Sequence, residues 1–386
     1  MQHQYTPFPS LAVTSRNRPM VNEIVPAHDD DGRAALAQIA DAYARQDVFD
    51  DYLSRKAENT RNAQRADLDK FSEFLAIAAW PNPPSGEELQ TSPAAWQRVT
   101  HGIVTAFRNW QLQQGYATAT VNRRLSTVRK YCKLAFAAGV IDETTNALIV
   151  TVQGYSGKDA QRIDERREDA GTPTRTGDKK AEHVSITDDQ ADALKRQPDT
   201  PQGRRDALLM CILLDLGLRV GEVARLRVRD LDLHAGTLFV HRPKVGKTQT
   251  HKLPADTLRA AHAWVDSGDC PVFEDAPLLR SSRRGGALGD AGMTERSISK
   301  RVRDLGVEVG HYRDHLHVTA GGKRKYRKVG TLSAHDCRHY WTTFWAKRQK
   351  DLPRGIFTLQ EAGGWSSLAM PRRYTEQAQI ANEGMA

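Results

Sequence analysis

The chain has 386 residues, with 56 lysines and arginines against 47 aspartates and glutamates, a net charge of +9 and a pI near 9.4. That length exceeds what one hydrophobic core usually serves, so two domains or three are expected, and the basic balance draws the chain to polyanions such as nucleic acid. No stretch of about 18 apolar residues occurs and no cationic start leads into an apolar run, so neither membrane spanning nor secretion is expected and a cytoplasmic location is. Cys132, Cys211, Cys270 and Cys337 form no C-x-x-C pair and read as reduced thiols.

Residues 1–43 read as a flexible tail, with four prolines and the acidic run Asp29-Asp30-Asp31, the pattern turning helical from about Arg33 to Arg45. Residues 44–153 read as a helical domain. Leu68, Phe71, Leu75 and Ala78 form one stripe, and Ile103, Phe107 and Trp110 a second that stops at Gly115. A third helix, from Thr120 to about Ala138, turns Val121, Leu125, Val128 and Ala135 inward and spreads Arg123, Arg124, Arg129, Lys130 and Lys133 over the rest of its surface. Read alone, those cations are a solvated basic face.

Between 154 and 183 the sequence is polar, carries Gly171, Pro173 and Gly177 and has almost no large apolar residue, which predicts a linker. Residues 184–386 form the larger domain. Helices are predicted over 187–196 and 203–217, then a hairpin at the Ala235-Gly236 step and a second turn near Val245-Gly246, which puts Lys244 at or near a turn. The fold class is mainly α with a small β-sheet.

The chemistry is carried by residues far apart in the chain. A helix ends in Gly217-Leu-Arg219-Val-Gly-Glu222; His335-Asp-Cys-Arg338-His339 follows; Trp365 comes next, and Tyr374 nine residues after it. Read singly each is ordinary: Arg338 is a helix-surface cation, His335 a helix-starting histidine, Trp365 a core residue. Their order and spacing resemble the tyrosine recombinase family, also called phage-type integrases, and Ala119-Thr-Val-Asn-Arg123-Arg-Leu125 resembles the end of that family's core-binding domain.

The resemblance implies a helical core DNA-binding domain and a catalytic domain that close around double-stranded DNA, cleaving and rejoining it through a 3′-phosphotyrosine. It needs no cofactor and no metal. Tyr374 would be the nucleophile. Arg219 and Arg338 would hold the phosphate, since a planar guanidinium fits it in two contacts, and Glu222, one turn from Arg219, could hold that guanidinium in place. His335 could donate to the phosphate or accept the tyrosine proton. Trp365 stands where many family members have a second histidine, so it can donate a hydrogen bond but relay no proton. The general acid would be a turn lysine, Lys244 in preference to Lys247.

Lys323, Arg324, Lys325, Arg327 and Lys328 place five cations within six residues ahead of His335, and contact with DNA phosphates is expected of them, as of Arg123, Arg124, Arg129 and Lys130. His311, His315 and His317 read as ordinary loop histidines rather than metal ligands. The family implies a homo-oligomer on DNA, a tetramer in the synapse, with accessory DNA-bending or directionality factors. The biological role expected is integration, excision or resolution of a mobile element; a nicking-closing topoisomerase and a catalytically silent DNA-binding regulator are the alternatives.

Overall fold

In the computed structural model, which describes residues 30–171, 183–242, 246–283, 286–318 and 324–378, the chain divides into two units, with the boundary between Lys179 and Lys180. The first is all helix: α1 (Asp30–Gln46), α2 (Val48–Ser54), α3 (Glu58–Ile77), α4 (Gly86–Thr91), α5 (His101–Gln113), α6 (Thr118–Ala137), α7 (Glu143–Thr151) and α8 (Gly157–Asp169). Aromatic rings dominate its core. Phe71 of α3 stacks on Trp96 at 5.7 Å and meets Phe107 of α5 edge-on at 5.0 Å, packing that adds to the area these rings bury. The α3 stripe runs through Leu68, Phe71, Phe74 and Leu75, while Ala78, expected on it, is an exposed cap residue.

Within the expected linker, residues 157–169 form helix α8, and residues 172–182 lie outside the described part. A Ser156–Asp159 capping box starts α8, and Arg167 donates to the carbonyls of Leu112 and Tyr116 at 3.0 and 3.1 Å. Those carbonyls lie at and just beyond the C-terminal end of α5, so the guanidinium fastens α8 there. The polar composition that reads as a linker therefore serves a surface helix fastened by one buried arginine. The expected tail likewise overlaps α1, and residues 1–29 lie outside the described part.

The second unit begins with α9 (Asp188–Lys195) and α10 (Pro201–Asp215), then α11 (Val220–Val223). Leu208, Leu209, Met210, Ile212, Leu213 and Leu214 make α10 the centre of the core. Strands β1 (Leu231–Asp232), β2 (Thr237–Arg242) and β3 (Lys247–Lys252) form an antiparallel sheet in that order, with Arg242 opposite Lys247. After α12 (Ala255–Asp266) come a hairpin of β4 (Arg280–Ser282) and β5 (Leu288–Gly292), then α13 (Glu295–Glu308) and a longer hairpin of β6 (Tyr312–Val318) and β7 (Arg324–Gly330). The chain then runs through α14 (Ala334–Lys347), α15 (Ile356–Gly363) and α16 (Ala369–Ala378). His315 and His317 are strand residues, not loop residues as expected.

The fold is thus mainly helical with small antiparallel sheets. Among the described residues no helix is long and apolar enough to cross a membrane, and all four cysteines are buried thiols.

Candidate active site

Arg219 caps the start of α11, where its backbone N–H donates to Glu222 Oε2 at 2.9 Å and its Nη1 donates to Oε1 at 2.7 Å. Glu222 is 5% exposed, so a buried carboxylate holds Arg219 at its backbone and at its guanidinium. The turn that delivers Arg219 depends on Gly217, whose φ of +60° disfavours side chains and whose added Cβ would lie 2.4 Å from Trp341.

Arg338 projects from α14, whose start is fixed by a Ser333–Asp336 capping box. Nη1 donates to the Gly217 carbonyl at 2.6 Å and Nη2 to the Gly363 carbonyl at 2.5 Å. One guanidinium thereby joins the end of α10 to the end of α15, and it lies 4.7 Å from the Trp365 ring. Burial, and then the neighbouring Arg219, lower the Arg338 pKa; an anion in the cluster would oppose both effects.

A third guanidinium was not expected. Arg242 is fully buried, with Nη2 donating to the Ala362 carbonyl at 2.8 Å and facing His251 Nε2 at 3.1 Å, while Nε and Nη1 have no protein partner. Its Nη1 would lie 2.0 Å from a Cβ at Gly364, the left-handed residue that ends α15. Arg242 therefore supports the turn leading to Trp365. Burial and the Arg242 cation push His251 down to about 4, so its imidazole is neutral and accepts from the arginine.

Tyr374 lies on α16, 8% exposed, in a small cluster with Trp341 and Leu359. Its ring centroid is 6.4 Å from Trp365. Burial raises its pKa and Arg338 opposes that rise, so at neutral pH the phenol keeps its proton. The hydroxyl is in hydrogen-bond contact with His339, 2.7 Å from Nδ1 and 3.4 Å from Nε2. Burial and two neighbouring histidines push His339 down to about 4, leaving it neutral and able to accept. His335 packs edge-on to His339 at 4.5 Å, and His183, from the segment entering this unit, packs against it at 3.6 Å. Burial lowers the His335 pKa as well.

The structure therefore gathers Arg219, Glu222, His335, Arg338, Trp365 and Tyr374 as expected, and adds Arg242, His339 and His183. Three guanidiniums face one carboxylate, an excess of positive charge suited to an anion. Lys244 falls in the connection between β2 and β3 and lies outside the described residues, as does Lys323. Lys247 is exposed at the start of β3.

The other cations expected on DNA divide into two groups. Arg124 is half-buried 4.2 Å from the Tyr116 ring, and Arg129 donates to the Val150 carbonyl at 2.7 Å, so both brace the helical unit. Arg123 and Lys130 are exposed, although Arg123 also pairs with buried Asp67 at 2.5 Å. Arg324, Lys325, Arg327 and Lys328 all lie on β7, with Arg327 and Lys328 exposed. Among the described residues no group of His, Cys, Asp and Glu is arranged to hold a metal ion.

An arginine cluster holding a buried tyrosine, on a mainly helical unit preceded by a second helical unit, agrees with the sequence comparisons. Residues 185–380 match the phage integrase family, and residues 86–139 match the phage integrase N-terminal SAM-like domain. The chain belongs to the phage integrase family. Within it the chain is a tyrosine site-specific recombinase. It is 31% identical to the tyrosine recombinase XerC of Pelobacter propionicus over 82% of this chain and 84% of that protein. It is 25% identical to the XerC of Roseiflexus sp. strain RS-1 over 83% of each. In fold it resembles the Tn1549 transposon integrase, seen in complex with transposon right end DNA, at a TM-score of 0.55, 14% identity, 89% of this chain and 98% of that one.

Proposed function

We propose that this recombinase cleaves and rejoins double-stranded DNA through a 3′-phosphotyrosine on Tyr374. The observation that carries the reading is the hydrogen-bonded Tyr374 hydroxyl beside the Arg219–Arg338–Arg242 cluster. Arg219 and Arg338 hold the non-bridging oxygens of the scissile phosphate as charge builds on them. Glu222 keeps Arg219 in place, and the Trp365 indole N–H donates to the same phosphate. His335, in the first turn of α14, donates there as well. Lys244 protonates the departing 5′ oxygen as general acid.

The covalent link conserves the energy of the broken bond, so rejoining needs no nucleotide cofactor. When the attacking hydroxyl comes from a second duplex, strands are exchanged, and a tetramer supplies the four tyrosines that two duplexes require. Integration or excision of a mobile element is the role we favour, on the likeness in fold to a transposon integrase. Relatives named tyrosine recombinase favour exchange over mere relaxation. Arg123, Lys130 and Arg327 contact the DNA backbone.

The test is a search for covalent protein–DNA adducts. Wild type and Tyr374→Phe are incubated with fragmented source DNA, denatured, and the attached DNA is sequenced. Adducts in wild type alone support the reading and give the site; adducts in both, or in neither while both bind DNA, refute it.

A further inference from the structure

Metal-free attack by a tyrosine requires a group to take its proton, and the sequence offers His335 for that. The geometry does not favour it. The atom that meets the Tyr374 hydroxyl is Nδ1 of His339, at 2.7 Å. We propose that His339 is the general base for Tyr374, and that His183 is a positioning residue that holds the His339 ring against the hydroxyl.

Three observations carry this. First, the Tyr374 hydroxyl lies 2.7 Å from His339 Nδ1 and 3.4 Å from Nε2, so in either neutral tautomer a ring nitrogen with a lone pair is within reach of the phenolic proton. Second, the ring has two packed neighbours: His183 lies against it at 3.6 Å and His335 meets it edge-on at 4.5 Å. Third, its surroundings keep it neutral. Burial is the largest cause, His183, His335 and Arg338 also oppose its protonation, and Asp336 favours it. Asp188, Tyr340, Lys347 and Arg348 line the solvent side of the same groove, whose volume is about 440 Å³.

The step balances without any further reactant. As the Tyr374 Oη–P bond forms and the P–O5′ bond breaks, the phenolic proton passes to His339 Nδ1 and the 5′ oxygen takes its proton from the acid assigned to Lys244. On rejoining, His339 returns its proton to Tyr374. A base with a low pKa takes the proton only as the phosphorus bond forms, so resting Tyr374 stays a phenol and does not attack prematurely.

This inference rests on the phosphotyrosine reading, and its test separates the two. Single-turnover adduct formation is followed for wild type, His339→Ala, His339→Asn and His183→Ala on the duplex recovered from Tyr374 adducts. Absence of any adduct in wild type refutes the chemistry as a whole. With wild type active, both His339 variants should lose about 10²–10⁴ in rate at pH 7 while binding the duplex normally. Their rates should climb with pH toward the ionisation of the phenol, and added imidazole, which the groove can admit, should restore His339→Ala. Sulfur at the 5′ bridging position should leave the His339 loss in place, because it relieves only the need for an acid. His183→Ala should move the acid limb of the pH–rate profile to higher pH. Wild-type rates in the His339 variants, a pH-independent loss without imidazole rescue, or full rescue by bridging sulfur would each overturn the assignment.

Discussion

The Arg338 guanidinium donates to the Gly217 carbonyl at 2.6 Å across 121 positions of sequence, and with its other nitrogen to Gly363 at 2.5 Å. The same side chain that is proposed to meet phosphate thus fastens the two turns that present Arg219 and Trp365. Position and charge are coupled in one residue, because a carbonyl at each turn accepts from a nitrogen that has further N–H groups to offer an anion.

Arg338→Ala should therefore fail in two measurable ways. Two carbonyls lose their donor inside the protein, a loss of about 1–3 kcal/mol each where water does not replace it, and the midpoint of urea unfolding should fall. Adduct formation should drop by at least about 10²–10³, the usual effect of removing one preorganised donor to a developing anion. Arg338→Lys keeps the charge but cannot span both carbonyls, so it should recover part of the stability and little of the rate. Equal rates for wild type and the Arg338→Lys variant would show that charge alone suffices.

Gly217→Ala tests the turn itself. The φ of +60° and a Cβ 2.4 Å from the Trp341 ring oppose any side chain there, and strain of this kind costs about 1–3 kcal/mol before the ring is displaced. Stability should fall by at least that much in urea titrations, and cleavage should fall with it because Arg219 lies two residues on. Adding Trp341→Ala should relieve the clash but not the backbone strain. A double variant less stable than the sum of the two losses would contradict this account.

The sequence made Arg219, Arg338 and Tyr374 legible because their order is set by a chemistry that needs all of them, and Glu222 because one helical turn separates it from Arg219. His339 was in view beside Arg338, yet nothing in a linear pattern says that it meets a tyrosine thirty-five residues on. Arg242 carried no expectation from the sequence, whereas the fold buries it completely beside Gly364. Helix α8 escapes the sequence for a different reason. Its composition is that of a linker, and its Ser156-x-x-Asp159 start was the local signal that could have revealed it. Arg124 and Arg129 show the opposite failure: cations on a helix looked free for DNA but are used to brace the helical unit.

Acid should weaken the catalytic unit through its buried histidines. His251 is pushed from 6.5 to about 4 by burial and by Arg242. The unfolded chain takes up that proton near 6.5 and the folded chain only near 4, so the unfolded state binds more protons in between. Stability is then fully present above about 6.5 and is lost as pH falls toward 4. His251→Gln keeps an acceptor for Arg242 and removes the titration. Its urea midpoint should fall less steeply between those pH values than that of wild type, with His339 and His335, lowered in the same direction, supplying the slope that remains. An unchanged slope would place the acid sensitivity elsewhere.

The long hairpin bears on affinity rather than chemistry. Strand β7 pairs Arg327 with His315 and Lys328 with Asp314, and successive strand residues point to opposite faces, so Arg327 shares a face with position 325 and Lys328 does not. Lys328 is also 4.1 Å from the Tyr312 ring, which orders it on its own face. If the Arg327 face meets the duplex, Arg327→Gln should lower the slope of log affinity against log salt by about 0.9, the counterion release of one phosphate contact, and Lys328→Gln should leave it unchanged. The reverse pattern would turn the hairpin over. No change in either variant would remove the hairpin from the DNA interface and leave β6 and β7 as a surface feature of the catalytic unit.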